Sequence, residues 1–187
     1  MPQPIRVDAC SESQWQQALS LIASVFVGEG FVSTERNSRG CRREVIEPAA
    51  TLLTATEEGV PDRVLGVVVL PIPGSPLCLM AREGEAEMRM LAVDPQGRGR
   101  GVGASLVREC MARAVLPPVS ARRMVLWTQP TMRAAQRLYE RMGFERMPER
   151  DTVLAAGSEG SAGAVTRQRL AYGLNLAGAR GSGGHEG

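Results

Sequence analysis

The stretch DPQGRGRGVGASLV, from Asp94 to Val107, constrains the fold of this chain more than any other. Four glycines alternate from Gly97 to Gly103, between a strand pattern and a helix pattern. Glycines let successive backbone amides turn toward one ligand, and a helix N-terminus favours an anion. Arg98 and Arg100 add charge that can neutralise phosphate oxygens. The segment therefore predicts a backbone site for a pyrophosphate.

Two other phosphate-binding loops fit this segment less well. A P-loop needs a lysine followed by serine or threonine, and the sequence contains no lysine. Gly99, Gly101 and Ala104 match the dinucleotide pattern G-x-G-x-x-A. That loop needs a carboxylate for the ribose about 20 residues later, and the segment PPVSARRM offers none there.

Length and composition limit the classes of protein to which this chain can belong. The 187 residues predict one domain over residues 1–176 and a disordered glycine-rich tail over 177–187. A net charge of +2 gives no reason to expect nucleic acid or an anionic membrane as partner. The first residues lack a signal-peptide pattern, and no apolar run approaches the roughly 20 residues of a membrane helix. We therefore expect a cytoplasmic protein.

Cysteine and histidine usage excludes several kinds of site. Cys10, Cys41, Cys78 and Cys110 form no C-x-x-C pair, so we expect reduced thiols and no zinc site. The single histidine, His185, lies in the tail. A histidine-based catalytic triad or metal site is therefore not expected, and the chemistry must use carboxylates, tyrosine, backbone amides or a cofactor.

Apolar periodicity predicts strands and helices in a mixed α/β order. Ser11 or Ser13 is expected to cap a helix that runs to about Val27. A basic segment, STERNSRGCRREVIEPAA, is expected to be helical up to Pro48. Gly143 is expected to end a later helix in the left-handed conformation. The other predicted elements are strands in IRVDA, ATLLTATEEG, RVLGVVVLPIP, EAEMRMLAV, RRMVLWTQ, GFERMPE and TRQRLAYGL, and helices over 101–114 and in MRAAQRLYERM.

The strand EAEMRMLAV, residues 85–93, shows a regular alternation. If that alternation holds throughout, two sets of side chains face opposite sides of the sheet. One set is Ala86, Met88, Met90 and Ala92, and the other is Glu87, Arg89, Leu91 and Val93.

The segment RGRGVG, from Arg98 to Gly103, fits the signature R/Q-x-x-G-x-G/A, and here the chain resembles the GCN5-related N-acetyltransferase (GNAT) family. The strand end Leu-x-Val before the loop, the strand MVLWT and the segment AAQRLYERMGF agree with the family in the same order. The resemblance covers residues 85 to about 150. It implies a mixed, mostly antiparallel sheet of about seven strands flanked by helices.

The resemblance also implies acetyl-CoA as cofactor and a set of residues that bind it. The main chain of the Leu-x-Val strand end would bind the pantetheine arm, and a bulge would splay this strand from Val125–Thr128. The loop amides would bind the pyrophosphate. The implied cofactor-binding residues are Leu91, Ala92, Val93, Arg98, Gly99, Arg100, Gly101, Val102, Gly103 and Ala104.

The implied reaction is direct attack of a neutral amine on the acetyl thioester. Tyr139 matches the tyrosine that protonates the leaving sulfur in this family; its alternative role is core packing. Glu87 is the expected general base, and the alternative is a solvent-facing glutamate paired with Arg89. Glu85 and Glu29 are weaker candidates. Where relatives carry an asparagine after the strand, this chain has Thr128 and Gln129.

The acceptor amine is left open, as a small molecule or a peptide, and so is assembly into a homodimer. The basic run Arg36, Arg39, Arg42 and Arg43 suits either a solvated helix face or attraction of an acidic acceptor. Two other functions stay as alternatives. One is a non-catalytic acyl-CoA-binding regulator with the same fold, and the other is a dinucleotide-binding oxidoreductase.

Overall fold

The structure, a computed structural model, describes residues 3–28, 41–156 and 165–176. Glu29, the first half of the predicted basic helix and the tail lie outside this part, so the predicted domain division stays a prediction. The helices are α1 (Trp15–Phe26), α2 (Arg43–Ile46), α3 (Val102–Ala114) and α4 (Arg133–Arg141). The strands are β1 (Ile5–Ala9), β2 (Ala50–Glu57), β3 (Gly66–Pro71), β4 (Glu85–Glu87), β5 (Arg89–Val93), β6 (Arg123–Thr128), β7 (Glu145–Arg146), β8 (Thr152–Ala156) and β9 (Val165–Asn175).

The first sheet is antiparallel, in the order β1-β2-β3-β5. Helix α1 follows β1 through a short turn, where the Ser11 amide donates to Gln14 Oε1 at 3.0 Å. The same oxygen accepts from the Thr54 hydroxyl of β2, and the side-chain Nε2 of Gln14 donates to the Pro61 carbonyl. These bonds stabilise the predicted helix start and fix it to the sheet.

The second sheet has the order β4-β6-β9-β7, and β8 also pairs with β9. Strands β4 and β6 run parallel, with Glu87 opposite Val125. The other pairs described in this sheet are antiparallel. The predicted strand after Gly143 is short, because β7 contains two residues.

The predicted continuous strand 85–93 is divided between the two sheets. The Met88 amide still bonds to the Val125 carbonyl, at 3.0 Å, but β5 then pairs with β3. Its register places Ala92 opposite Val67 and Arg89 opposite Val69, so β5 contains one extra residue there. Met90 lies in this bulge with a left-handed φ of 53°.

The predicted alternation along 85–93 is therefore wrong beyond Met88. Met88 packs in the core beneath α3 and α4, whereas Met90 packs with the core beneath α1. Leu91 and Val93 pack, like Met88, in the core beneath α3 and α4. Because side chains along a strand alternate with a period of two, one extra residue places each side chain after it on the opposite face of the sheet from the predicted one.

Helices cover both faces of the sheets. Leu106, Cys110 and Tyr139 of α3 and α4 belong to one core, and Trp15 and Ile22 of α1 belong to the other. The predicted mixed α/β fold with mostly antiparallel sheets is confirmed. The described part contains nine strands where about seven were expected, partly because the strand over 85–93 is split. None of the described helices is long and apolar enough to cross a membrane.

Candidate active site

A cleft with a volume of about 320 Å³ opens where strand β5 diverges from strand β6. Strand β5 pairs with β3 on one side, and its other edge faces the cleft. Residues of α1, of the segments before α2 and before β4, of strands β4, β5, β6 and β9, of the turn after β6 and of α4 line it. They include Phe26, Cys41, Leu77, Leu79, Glu87, Met88, Arg89, Met90, Leu91, Trp127, Thr128, Gln129, Met132, Tyr139 and Arg169.

The predicted pantetheine-binding strand end lies at this opening. Leu91 lines the cleft, and Ala92 is buried in the core beneath α1. Val93 packs against the core beneath α3 and α4. Since these side chains are engaged in packing, the main-chain edge of β5 is what the cleft offers to an extended ligand.

The glycine loop connects β5 to α3. A turn over Pro95–Gly97 begins it, where Asp94 Oδ1 accepts from the Gln96 amide at 2.8 Å. Gly99 and Gly101 have left-handed φ angles of 73° and 81°. A Cβ atom at either position would meet no atom within 4 Å, so both glycines face open space. Each is needed for its backbone conformation.

The loop leaves a row of backbone amides for an anion. Gly101 precedes α3 and accepts its first bond, from the Ser105 amide at 2.9 Å. The amides of Val102, Gly103 and Ala104 lie in the first helical turn, where no intrahelical acceptor exists. The positive end of the helix dipole adds to these donors. This geometry suits a pyrophosphate.

Gly103 has a packing role that the sequence did not indicate. A Cβ atom there would lie 3.0 Å from Leu138 Cδ2 and 3.6 Å from Val93 Cγ2. The missing side chain therefore allows α3 to approach α4. The position contributes an amide to the loop, but close helix packing explains why it is glycine.

Arg100 forms an ion pair with Glu57 at the end of β2, and its side chain is about three-quarters buried. The Arg100 side chain is therefore engaged with Glu57, and its predicted phosphate contact stays a prediction. The side-chain contact predicted for Arg98 stays a prediction.

Tyr139 lies on α4, with its side chain on the cleft wall and 5% exposed. Its ring contacts Phe144 and Tyr172, at centroid distances of 5.8 and 6.2 Å. Burial raises the pKa of the phenol well above its usual range, and nearby Cys110 adds to the shift. The phenol therefore stays protonated at neutral pH and can act as a proton donor.

Glu87 is buried, with 1% exposure, so the predicted alternative of a solvent-facing glutamate is wrong. Its Oε2 accepts from the backbone amides of Leu79 and Met80, both at 2.7 Å, and of Ala81 at 3.3 Å. Its Oε1 lies 3.6 Å from Arg89 Nε, so the pairing with Arg89 is confirmed. One oxygen thus anchors the segment 79–81, and the residue as a whole lines the cleft.

The weaker candidate Glu85 is held away from this chemistry. It bonds to the Arg150 guanidinium at 2.9 to 3.0 Å and lies 3.7 Å from Arg123. It lines a separate, polar pocket beside Arg122. Glu85 therefore links β4 to the Pro148–Arg150 turn. Within the described residues, no group of three or more metal-ligating side chains comes together.

Thr128 and Gln129, expected in place of an asparagine, both line the cleft. The Gln129 backbone carbonyl accepts from the side-chain Nε2 of Gln136 at 2.8 Å. This bond ties α4 to the segment that follows β6. Sequence reasoning missed Gln136, although a polar residue on the buried face of a helix signals such a bond.

Sequence reasoning also missed Arg169. It lies over the Trp127 ring at 5.0 Å and lines the cleft. Forty-two positions separate the two residues in the chain, so only the β6–β9 register brings them together.

Comparisons with known proteins agree with this geometry. A family model described as the acetyltransferase (GNAT) family matches residues 15–144. An N-acetylaspartate synthetase of Danio rerio is 35% identical over 75 residues. That match covers 40% of this chain and 26% of the relative, so it spans about a quarter of that protein.

Solved structures show the same fold. A GNAT-family acetyltransferase from Staphylococcus aureus Mu50 matches with a TM-score of 0.66 at 16% identity, covering 92% of this chain and 99% of that one. A ribosomal-protein-alanine N-acetyltransferase from Brucella melitensis matches with a TM-score of 0.61 at 16% identity, covering 91% and 99%.

Proposed function

The chain belongs to the GNAT acetyltransferase family, and on that premise we propose that it is an acetyl-CoA-dependent N-acetyltransferase acting on a primary amine. The observation that carries this proposal is the order of two features along the chain. Strand β5, whose residues Arg89, Met90 and Leu91 line the cleft, leads through the glycine loop into the row of open amides at the start of α3. Together they suit a long ligand with a pyrophosphate at one end and an amide-bearing arm.

The cofactor contacts follow from this arrangement. The amides from Arg98 to Ala104 hold the pyrophosphate, with Gly99 and Gly101 allowing its close approach. The main chain of Leu91–Val93 holds the pantetheine arm. Bound acetyl-CoA supplies a thioester that a neutral amine attacks, which forms the new C–N bond and releases the thiol. A backbone amide near Leu91 polarises the carbonyl oxygen as charge develops there.

Tyr139 is the proposed acid. Its phenol gives its proton to the departing sulfur, and the position of the residue on the cleft wall supports this role. The phenol carries its proton at neutral pH, since even an unperturbed tyrosine has a pKa of about 10.

Glu87 is the proposed base. Oε2 is committed to the amides of residues 79–81, so the proton of the amine goes to Oε1, which lies 3.6 Å from Arg89 Nε, directly or through a water. Residues 79–81 then hold the carboxylate in position on the cleft wall.

The first acceptor amines to be assayed are chosen from the names of the similar proteins. Because an N-acetylaspartate synthetase matches part of the chain, aspartate is included, together with N-terminal peptides and polyamines. We propose the cytoplasm as the compartment and no nucleic acid or membrane as partner, and self-association remains to be measured.

The test combines binding with turnover. Acetyl-CoA is expected to raise the melting temperature, since a ligand that binds the native state stabilises it by mass action, whereas NAD, NADP and ATP are expected to have little effect. Tyr139→Phe is expected to slow thiol release from acetyl-CoA and to retain the acetyl-CoA-induced shift. Stabilisation by a dinucleotide alone would overturn the proposal, and binding of acetyl-CoA without turnover on any amine would favour a non-catalytic regulator.

A further inference from the structure

Apolar residues from three separate packing clusters meet at the cleft. Tyr139 belongs to the core beneath α3 and α4. Three residues that pack against the core beneath α1 also line the cleft, namely Phe26, Leu77 and Met90. Trp127 belongs to a third cluster, on the second sheet. Apart from Tyr139, these residues are only half-buried, so the cleft exposes apolar surface to a ligand.

The charged residues of the cleft are engaged with other groups of the protein. Among the described lining residues they are Glu87, Arg89 and Arg169. Glu87 Oε2 accepts from three backbone amides, and Oε1 lies 3.6 Å from Arg89 Nε. Arg89 also donates to the Leu77 carbonyl at 2.6 Å, and Arg169 stacks over the Trp127 ring at 5.0 Å. A further charge on a ligand would have to compete with these contacts for compensation, whereas an apolar group would not.

Leu79 presents apolar surface beside the proposed base. Its backbone amide donates to Glu87 Oε2 at 2.7 Å, which fixes the residue next to the carboxylate. Leu79 is nevertheless 51% exposed, and it lines the cleft. An anchored backbone with an exposed leucine side chain is suited to contact a ligand, because little conformational freedom of the main chain is lost on binding.

Trp127 lies near the same carboxylate. Glu87 pairs with Val125 of β6, and Trp127, two residues further along that strand, packs in one cluster with Val125. The indole is held in place, because its Nε1 donates to the Arg150 carbonyl at 3.2 Å. An amine whose nitrogen reaches Glu87 thus brings its carbon chain close to apolar surface of Leu79 and Trp127.

We propose that the acceptor is a small primary amine with an apolar carbon chain, and that Leu79 contributes to the selection of that chain. This inference rests on the proposed function and specifies its substrate. Burial of each methylene group against the cleft raises kcat/KM about threefold to fourfold, until the cleft is filled. Apolar surroundings also favour the neutral form of an amine, which is the form that attacks the thioester.

The test varies the carbon chain and keeps the reacting group constant. Ethylamine, butylamine and hexylamine form a series of increasing apolar surface, and kcat/KM is expected to rise along it. 1,6-Diaminohexane and 6-aminohexanoate share the carbon skeleton of hexylamine but end in a second ammonium and in a carboxylate. Both are expected to react with a kcat/KM at least about tenfold below that of hexylamine, because the cleft would have to desolvate the additional charge.

Variants of Leu79 test its part in the selection. Leu79→Ala is expected to lower kcat/KM for hexylamine about fivefold or more, and that for ethylamine less, because it removes apolar surface along the chain. The KM for acetyl-CoA is expected to stay the same. Leu79→Met keeps the side-chain volume and is expected to retain the dependence on chain length.

Leu116→Ala is the matched control for Leu79→Ala. Leu116 follows α3 and is 57% exposed, so it is a leucine of similar exposure, and it lies outside the cleft lining of the described part. Its substitution is expected to leave the dependence of kcat/KM on chain length unchanged.

The outcomes separate this inference from the proposed function. If 1,6-diaminohexane or 6-aminohexanoate reacts as well as hexylamine, the inference is overturned and the acetyltransferase stands. The same conclusion follows if Leu79→Ala alters the dependence on chain length no more than Leu116→Ala does. If acetyl-CoA does not bind and no amine reacts, the proposed function fails, and with it this inference.

Discussion

At the scale of single residues, Glu87 combines a structural role with a proposed catalytic role, and these roles usually belong to separate side chains. Its Oε2 holds three amides of the segment 79–81, and the residue also lines the cleft as the proposed base. Two substitutions can separate the structural role from the catalytic role, because glutamine retains one carbonyl oxygen as acceptor and alanine retains none.

Glu87→Gln is expected to keep most of the stability of the fold, because its carbonyl oxygen can still accept from the amides at residues 79–81. Its turnover is expected to fall by about 100-fold or more, the usual contribution of a general base. Glu87→Ala is expected to lose turnover and also about 1–3 kcal/mol of stability, since it leaves buried amides unsatisfied. Chemical denaturation and steady-state kinetics measure both effects. Normal turnover by Glu87→Gln, with chemistry rate-limiting, would remove Glu87 as the base.

At the scale of elements, the glycine loop contains two kinds of glycine that look alike in the sequence. Gly99 and Gly101 have left-handed backbones and face open space. Gly97 and Gly103 lie against neighbouring atoms, and a Cβ atom at Gly97 would lie 3.0 Å from the Leu65 carbonyl oxygen. The first pair shapes the surface for the ligand, and the second pair lets α3 approach the sheet and α4.

The two kinds of glycine are expected to respond differently to substitution. Gly101→Ala is expected to weaken acetyl-CoA binding at a stability cost of about 1–2 kcal/mol, because alanine is strained at positive φ but meets no neighbour. Gly103→Leu is expected to destabilise by about 1–3 kcal/mol through overpacking against Leu138. Denaturation curves and acetyl-CoA titrations measure the two effects.

Gly59→Ala is the matched control, because Gly59 has a φ of 84° and also faces open space, in the turn between β2 and β3. It carries the same backbone strain away from the loop, so acetyl-CoA binding is expected to stay normal. Equal binding by Gly101→Ala and Gly59→Ala would contradict the assignment of the loop.

At the scale of the whole molecule, a charged network closes the second sheet. Asp151 accepts two bonds from the Arg146 guanidinium, at 2.9 and 2.8 Å, and one from the Ala171 amide at 2.8 Å. The Arg146 guanidinium also stacks over Tyr172 at 5.2 Å. This network ties the segment between β7 and β8 to β9, the strand that carries Arg169.

The network makes a pH-dependent contribution to stability. The hydrogen bonds from Arg146 hold the pKa of Asp151 below its usual value of 3.8. Because the folded pKa is lowered, this stabilisation is present above about pH 4 and is lost as the pH falls through the folded value. Asp151→Asn is therefore expected to be about 1–2 kcal/mol less stable than the parent near pH 7, and this difference in stability is expected to shrink as the pH falls through the folded pKa. Urea denaturation at several pH values measures this, and a constant difference would contradict it.

Much of the candidate site could be predicted from the sequence because its parts are local. The loop from Gly97 to Gly103 and the helix that carries Tyr139 depend on turn chemistry and apolar periodicity over a few residues. Gly143, predicted as a left-handed cap, has a φ of 86°. The order of strands and helices also follows from local patterns, so the fold class could be inferred as well.

The sequence by itself thus determined the glycine loop, the order of the elements and the family resemblance, all of which depend on residues close together in the chain. The tertiary structure alone decided three features of the cleft. These are the bulge at Met90 that splits the strand, the burial of Glu87 against the amides of 79–81, and the stacking of Arg169 on Trp127. Each depends on strand register or on contacts between separate segments, which no local periodicity specifies.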